Sequence, residues 1–199
     1  METGSSVATF EFKNSMGTSL DNLLPKTNTY IAIGYKHSFM TNAIRSYKKS
    51  SFFDKGVNIV FGVSYTPYGA SGSDTNNSFE WDVNYLGANL GVEYGVFSVN
   101  DFTFYIKAAT SFEYLLNGTQ RINNQVFNVF REEEFKSLAV FIRTGVGINY
   151  PISNKSNLFA QYTYGKSFAL KDRGSSSDEQ LHIKNHMIGI GITINILKY

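Results

Sequence analysis

Large apolar residues alternate with small or polar residues along most of the chain, and this two-residue period limits the fold more than any other feature of the sequence. In HMIGIGITINILKY, which closes the chain, isoleucine occupies every second position from Ile188 to Ile196. Successive side chains of a β-strand point to opposite faces, so this segment predicts one face of isoleucines and one of small residues. No convincing amphipathic helix interrupts the pattern, and we therefore predict an all-β fold.

The alternating segments are long, and the connections between them differ in length. Tilted strands need about 9–11 residues to cross a bilayer, and several segments reach that length. Short turns at 98–101 and 153–156 are separated by long polar connections, as in a barrel inserted in a membrane. For a single domain, residues 1–199, we predict an eight-stranded antiparallel up-and-down transmembrane β-barrel. Its predicted strands are 6–13, 27–40, 55–68, 79–97, 102–117, 137–151, 157–170 and 183–198.

The composition of the two faces predicts which one meets lipid. The polar face consists mainly of Gly, Ala, Ser, Asn and Thr, which the narrow interior of an eight-stranded barrel accepts, whereas the large apolar face would overfill it. We therefore expect the apolar face outside, against lipid, with aromatic girdles near the strand ends. The apolar parity changes within the fourth strand, which predicts a β-bulge near 85–86 that keeps Phe79, Trp81, Val83 and Tyr85 on the lipid-facing side. A soluble lipocalin-like barrel is the alternative. The expected girdle residues are Tyr30, Tyr65, Phe97, Phe102, Tyr150 and Tyr164.

Charge and cysteine content exclude several classes of function. Charged residues make up 17% of the chain, compared with roughly 25% in typical soluble domains. The net charge of +2 and the lack of a basic stripe argue against a nucleic-acid partner. Without cysteine, the chain has no disulfide, thiolate metal site or cysteine nucleophile. The opening METGSSVATF lacks the apolar core of a secretory signal, so we expect the natural leader to have been removed.

The chain resembles the small outer-membrane β-barrel proteins of Gram-negative bacteria. The resemblance covers nearly the whole chain as a pattern, and its most specific part is MIGIGITINILKY, which is similar to the C-terminal assembly signal of such barrels. It implies a location in the cell outer membrane and contact with outer-membrane lipid and lipopolysaccharide. It also implies recognition by the barrel-insertion machinery during biogenesis.

Five charged residues fall on the face that we expect to line the lumen. Buried charges have to pair or hydrogen-bond, so we predict a network of ion pairs and hydrogen bonds that plugs the lumen. A narrow pore through the same charges is the alternative. The predicted network consists of Lys36, Glu93, Lys107, Glu113 and Arg143, joined by Glu11 if the first strand is assigned correctly.

The connection 118–136 combines apolar residues with an acidic run. Apolar residues on an exposed loop mark a partner site in some proteins, but the same residues fit a hairpin that extends above the membrane. The acidic run lacks the spacing of a calcium loop, so we expect neither a metal site nor a cofactor. The candidate partner residues are Phe127, Phe130, Arg131, Glu132, Glu133 and Glu134.

Two functional interpretations remain open at the level of sequence. One is a non-enzymatic structural, adhesion or accessory protein that binds an envelope protein through its loops or through the basic segment 41–54, which is long where the barrel pattern expects a short turn. The other is an enzyme that modifies lipid or peptide at the extracellular rim with His182 and His186, near Asp178 and Glu179. These histidines are four residues apart on a predicted strand, about 13 Å by the strand rise. We therefore expect no catalytic residues.

Overall fold

The structure, a computed structural model, describes residues 1–13, 23–39, 56–73, 77–129, 137–168, 170 and 180–196. Every regular element in these ranges is a β-strand. None of these residues forms a helix that is long and apolar enough to cross a membrane. The strands are β1 (Glu2–Lys13), β2 (Leu23–Phe39), β3 (Val57–Ser73), β4 (Ser78–Val99), β5 (Phe102–Ile122), β6 (Gln125–Asn128), β7 (Leu138–Ser153), β8 (Ser156–Ser167) and β9 (Gln180–Ile194).

Eight of the strands close into a barrel. Each strand pairs with its neighbours in the order β1, β2, β3, β4, β5, β7, β8, β9, and β9 returns to β1. All of these pairings are antiparallel. The predicted eight-stranded antiparallel barrel is therefore confirmed. The short β6 is additional and pairs only with β5.

We call one end of the barrel the turn end and the other the loop end. The turn end carries the tight turns after Val99 and Ser153, and the loop end carries the longer connections predicted from the sequence. Several strands extend further toward the loop end than predicted, so β3 continues to Ser73 and β5 to Ile122. The first strand was also predicted too short, because β1 begins at Glu2 rather than at residue 6.

A band of apolar side chains surrounds the outer wall. Ile33 on β2 and Ile190 on β9, for example, are 62% and 59% exposed. Exposed apolar side chains are unfavourable in water but not against lipid chains. The band is therefore the surface that a transmembrane barrel presents to the bilayer. The predicted orientation of the large apolar face is confirmed. Further members of the band are Ile31, Phe61, Val63, Leu86, Leu90, Val92, Ile106, Phe112, Ile142, Val146, Leu158, Tyr162, Ile188, Ile192 and Ile194.

The lumen differs from the prediction because its loop-end half is filled by large apolar and aromatic side chains. Tyr68 and Phe141 lie inside with ring centroids 5.5 Å apart, and both are fully buried. The barrel interior therefore accepts bulk where small residues on neighbouring strands leave room. We call this cluster the apolar plug. Its members are Ala8, Phe10, Tyr68, Ala70, Val83, Tyr85, Leu115, Val129, Ala139, Phe141, Leu170, Leu181 and Ile183.

Phe79, Trp81, Val83 and Tyr85 were assigned to the wrong face. Val83 and Tyr85 point into the apolar plug, and β4 keeps one parity through this region. The bulge belongs to β5: Asn84 pairs with Asn117 and Tyr85 with Leu115, which leaves the intervening residue of β5 without a partner on β4. The fourth-strand alternation misled the prediction because the outer positions at this level are polar and the interior positions are apolar, the reverse of the arrangement in the apolar band.

Tyr30 was also misplaced as a girdle residue. It is 3% exposed and lies inside the lumen, where its hydroxyl donates a hydrogen bond to Glu2 Oε1. A tyrosine can serve in either position, since its ring suits an apolar environment and its hydroxyl needs a polar partner. The predicted girdle residues Phe97, Phe102 and Tyr150 lie on the outer wall near the turn end, and Tyr65 lies on the outer wall toward the loop end.

Candidate functional site

A buried ion pair crosses the middle of the lumen. Arg143 Nη2 on β7 donates to Glu113 Oε1 on β5 at 2.5 Å and to the Tyr68 hydroxyl on β3 at 2.8 Å. The hydroxyls of Tyr68 and Ser111 each donate to Glu113 at 2.8 Å. Arg143 Nη1 donates to Asn89 Oδ1 at 3.2 Å. We call these five residues the Arg143 cluster; they join four strands across the lumen.

The charged side chains of the Arg143 cluster are buried, and this burial determines the role that the cluster can have. Glu113 is 0% exposed and Arg143 is 6% exposed. A buried carboxylate that accepts three hydrogen bonds beside a guanidinium is a compensated charge, and removing one partner would leave the other uncompensated. The cluster is therefore suited to holding the strands in place. Its arginine already forms an ion pair with Glu113 and is not free to bind a ligand.

Two glycines make room for the ion pair. A Cβ atom on Gly87 would lie 3.1 Å from Glu113 Cγ, and one on Gly165 would lie 3.1 Å from Arg143 Cγ and against the Asn185 side chain. Both glycines point into the lumen on strands that flank the charged pair. The small residues of the lumen face thus provide the volume that the Arg143 cluster occupies.

A second charged group lies nearer the turn end. Lys36 Nζ forms an ion pair with Glu93 Oε2 at 2.5 Å, and Lys107 Nζ lies 3.6 Å from Glu93 Oε1. Gln161 Oε1 accepts a hydrogen bond from Lys107 at 3.4 Å, and Gln161 Nε2 donates to Glu2 at 2.7 Å. We call these residues the Glu93 cluster. It is less enclosed than the Arg143 cluster, since the Lys36 and Lys107 side chains are 23% and 17% exposed.

The five predicted lumen charges thus form two separate clusters. Lys36, Glu93 and Lys107 belong to one, whereas Glu113 and Arg143 belong to the other. A cavity of about 1180 Å³ separates the turn end from the Arg143 cluster, and the Glu93 cluster lines it. Beyond the Arg143 cluster the apolar plug fills the lumen. The interior is therefore open toward one end and filled toward the other.

Glu11 does not belong to the lumen, contrary to the expectation. It lies on the outer wall of β1 and forms an ion pair with Lys184 on β9. The lumen parity of β1 is instead carried by Ser6, Ala8 and Phe10, which are all buried. The predicted end of the first strand at residue 13 is correct, but the polar residue Glu11 does not lie on its lumen face.

Charged residues continue along the outer wall near the loop end. Lys26 Nζ on β2 lies 2.6 Å from Asp82 and 2.9 Å from Glu80, both on β4. Arg121 Nη1 on β5 lies 2.8 Å from the same Glu80 carboxylate. We call these four residues the rim network. Such exposed pairs contribute roughly 0–1 kcal/mol each, so the rim network marks a polar surface more than a source of stability.

The connection predicted to hold a partner site is partly a hairpin. Residues Gln125–Asn128 form β6, which pairs with β5 through a turn at Asn123 and Asn124, whose φ angles are 46° and 67°. Positive φ at two successive turn residues is the geometry of a type I′ hairpin turn, which asparagine tolerates. Phe127 pairs with Gln120, and Val126 is 60% exposed. The other candidate partner residues, Phe130, Arg131, Glu132, Glu133 and Glu134, lie outside the described residues, as does segment 41–54.

The two histidines of the enzyme hypothesis lie on the outer wall of β9. His186 Nδ1 is 2.6 Å from the Tyr162 hydroxyl, and His182 Nδ1 is 3.1 Å from the backbone carbonyl of Ser167. The Ser167 hydroxyl itself accepts the Ile183 N–H and does not face a histidine. Among the described residues, neither His182 nor His186 hydrogen-bonds to an acidic side chain or to a serine hydroxyl, and no group of acidic and histidine side chains could hold a metal ion. Asp178 and Glu179 are outside these ranges.

The known proteins that resemble this chain do so in structure and not in sequence. No protein-family model and no curated protein sequence matches the chain. Solved structures similar to it include Neisserial surface protein A, at 10% identity over 97% of this chain and 96% of that chain, with a TM-score of 0.45. They also include OprG from Pseudomonas aeruginosa (13% identity, 98% and 93% covered, TM-score 0.41) and the attachment invasion locus protein Ail of Yersinia pestis (12% identity, 96% and 97% covered, TM-score 0.38). Each likeness extends over nearly the whole of both chains.

Proposed function

We propose that this protein is a non-conducting outer-membrane barrel that binds another component of the cell envelope through its loop end and catalyses no reaction. One observation carries the proposal: the strands continue past the apolar band while the lumen beneath them is filled by the apolar plug. Barrels of this kind have short turns facing the periplasm, which places the loop end outside the cell. An extended rim above a blocked lumen is suited to binding another envelope component and not to the passage of ions or solutes through the barrel.

The rim offers a rigid surface for such binding. Beyond Leu86, the outer wall of β4 carries Asn84, Asp82 and Glu80 in place of apolar residues. The β5–β6 hairpin extends this surface and is ordered by its own backbone pairing. A preorganised surface loses less conformational entropy on binding than a mobile loop does, which favours a partner at this position.

The binding proposal can be tested by comparing rim and turn-end variants of the native protein, solubilised gently from membranes. We expect a stoichiometric companion to co-purify with the unmodified protein and to be lost from the double variant Arg121→Glu, Val126→Asp. Lys155→Glu changes a charge in an exposed turn at the opposite end and is the matched control. Loss of the companion from both variants, or purification of the barrel alone, would count against binding at the rim.

The plug predicts that the barrel does not conduct ions steadily. In planar-bilayer recordings we expect at most small, irregular currents from the unmodified protein, because an eight-stranded interior is just filled by side chains. The double variant Tyr85→Ala, Phe141→Ala removes two rings of the apolar plug and should raise the current. Stable channels of nanosiemens size in the unmodified protein would refute the plugged lumen and favour the pore alternative.

The proposal that no reaction is catalysed makes its own prediction. His182→Ala and His186→Ala should leave folding and companion binding unchanged, since the polar contacts that the structure describes for them, to the Ser167 carbonyl and the Tyr162 hydroxyl, lie on the outer wall. The measurement is heat-modifiable gel migration together with lipid analysis of the membranes that carry each variant. A change in membrane lipid that depends on the unmodified histidines would support the enzyme interpretation instead.

A further inference from the structure

Two lysines lie side by side on the outer wall, where β8 and β9 leave the apolar band. Lys166 of β8 and Lys184 of β9 are directly opposite each other in the strand pairing. The residues before and after each lysine are buried on the lumen side, so both lysines point outward. Directly opposed residues of neighbouring strands have Cβ atoms about 5 Å apart. The wall therefore holds two positive charges close together at this point.

The described part of the wall balances only one of these charges. Lys184 forms an ion pair with Glu11 on β1, whereas Lys166 has no acidic partner among the described residues and faces Ile142 of β7 on its other side. Like charges directly opposite each other destabilise a sheet. An ammonium group has three N–H donors, so Lys184 keeps donors beyond its bond to Glu11. An anion that contacts both lysines would offset their repulsion.

The lysine pair lies directly above an aromatic boundary of the lipid-facing wall. The next outward residues toward the turn end are Tyr164 and His186, followed by Tyr162 and Ile188 of the apolar band. The His186 ring centroid is 5.2 Å from that of Tyr164 and 6.0 Å from that of Tyr162. Aromatic residues of this kind mark the level where the hydrocarbon meets the lipid headgroups. The lysine side chains therefore reach the headgroup layer, and the loop end places that layer in the outer leaflet.

This cationic pair is confined to one sector of the circumference. The strand pairing, followed around the tilted wall, identifies the outward residues of the other strands at the same height, and none of those that the structure describes is charged. The rim network lies nearer the loop end, and its charges are paired with one another. The uncharged residues at this height are Val7, Thr9, Thr27, Thr29, Pro67, Asn84, Tyr114 and Val140.

We propose that Lys166 and Lys184 bind the phosphate group of an outer-leaflet lipid whose acyl chains lie against the apolar band. A phosphate monoester carries more than one negative charge at pH 7 and has three acceptor oxygens, so it accepts hydrogen bonds from both lysines at once. The position of the pair favours a lipid over a free phosphate ion, because the acyl chains of a lipid add contact with the wall below. This site goes beyond the binding proposed for the rim, since neither lysine belongs to the rim network.

Native mass spectrometry of the full chain in non-ionic detergent tests this site, because it counts the lipids bound to each barrel. The probe is dioleoyl phosphatidic acid, a phosphate monoester, and dioleoyl phosphatidylcholine is the comparison lipid with the same chains and no net charge. The double variant Lys166→Gln, Lys184→Gln removes both charges, and Lys166→Arg, Lys184→Arg retains them. Lys155→Gln removes an exposed positive charge at the turn end and is the matched control. Heat-modifiable gel migration checks that each variant is folded.

We expect the glutamine double variant to bind the first phosphatidic acid roughly ten- to thirtyfold more weakly, as for the loss of two lysines beside an anionic lipid. The arginine double variant and Lys155→Gln should bind it as the unmodified protein does, and phosphatidylcholine binding should not change in any variant. The glutamine variant should also keep the rim companion, so the two proposals stand or fall separately. Unchanged phosphatidic acid binding in the glutamine variant, or an equal loss for phosphatidylcholine or in Lys155→Gln, would overturn the site. Displacement of phosphatidic acid by an equal concentration of inorganic phosphate would overturn the lipid as its ligand.

Discussion

Replacing Arg143 by alanine is expected to lower the free energy of unfolding by about 3–5 kcal/mol, because Glu113 would remain fully buried without its counter-charge. The carboxylate would keep the hydroxyl groups of Tyr68 and Ser111 as donors, which do not balance a full charge. The measurement is urea unfolding of the barrel in phospholipid bilayers, followed by tryptophan fluorescence or gel migration.

Two controls separate burial from charge in this experiment. Arg121→Ala removes an arginine of the exposed rim network and should cost no more than about 1 kcal/mol. The double variant Arg143→Met, Glu113→Gln removes both buried charges and should recover much of the loss, because an uncharged interior of similar volume needs no compensation. A loss at Arg121 as large as that at Arg143, or a double variant as unstable as Arg143→Ala, would contradict the structural role of the Arg143 cluster.

Replacing Ile190 by arginine is expected to cost about 2–4 kcal/mol of stability in a bilayer, because Ile190 lies on the outer wall well inside the apolar band. The same change at Ile196 is the matched control. Ile196 is exposed and lies just beyond the end of β9, close to the turn end, where an arginine reaches the interface and costs about 0–1 kcal/mol. Equal costs at the two positions would argue against the bilayer position that the band indicates. The difference in unfolding free energy in phospholipid vesicles is the quantity to measure.

The sequence indicated which charged residues share the lumen but not how they pair. Alternation alone placed Lys36, Glu93, Lys107, Glu113 and Arg143 on the inner face, and all five lie there. That they separate into two clusters follows from the stagger between strands, which decides the height at which each side chain meets its neighbours. Partners such as Tyr68 and Gln161 were missed because a tyrosine or glutamine on a strand carries no sign of a charged neighbour. The Asn123–Asn124 pair, by contrast, was a usable indication of the β5–β6 hairpin, since asparagine favours the positive φ of that turn.

The sequence by itself determined the two-residue period, the number of barrel strands and the face that meets lipid, because each follows from the alternation of side chains along single strands. Closure of the wall, the bulge in β5 and the inward position of Phe79, Trp81, Val83 and Tyr85 were decided only in three dimensions. At those residues the outer wall is polar and the interior is apolar, so the expectation that apolar residues face lipid assigns the wrong face, and backbone pairing between strands settles it.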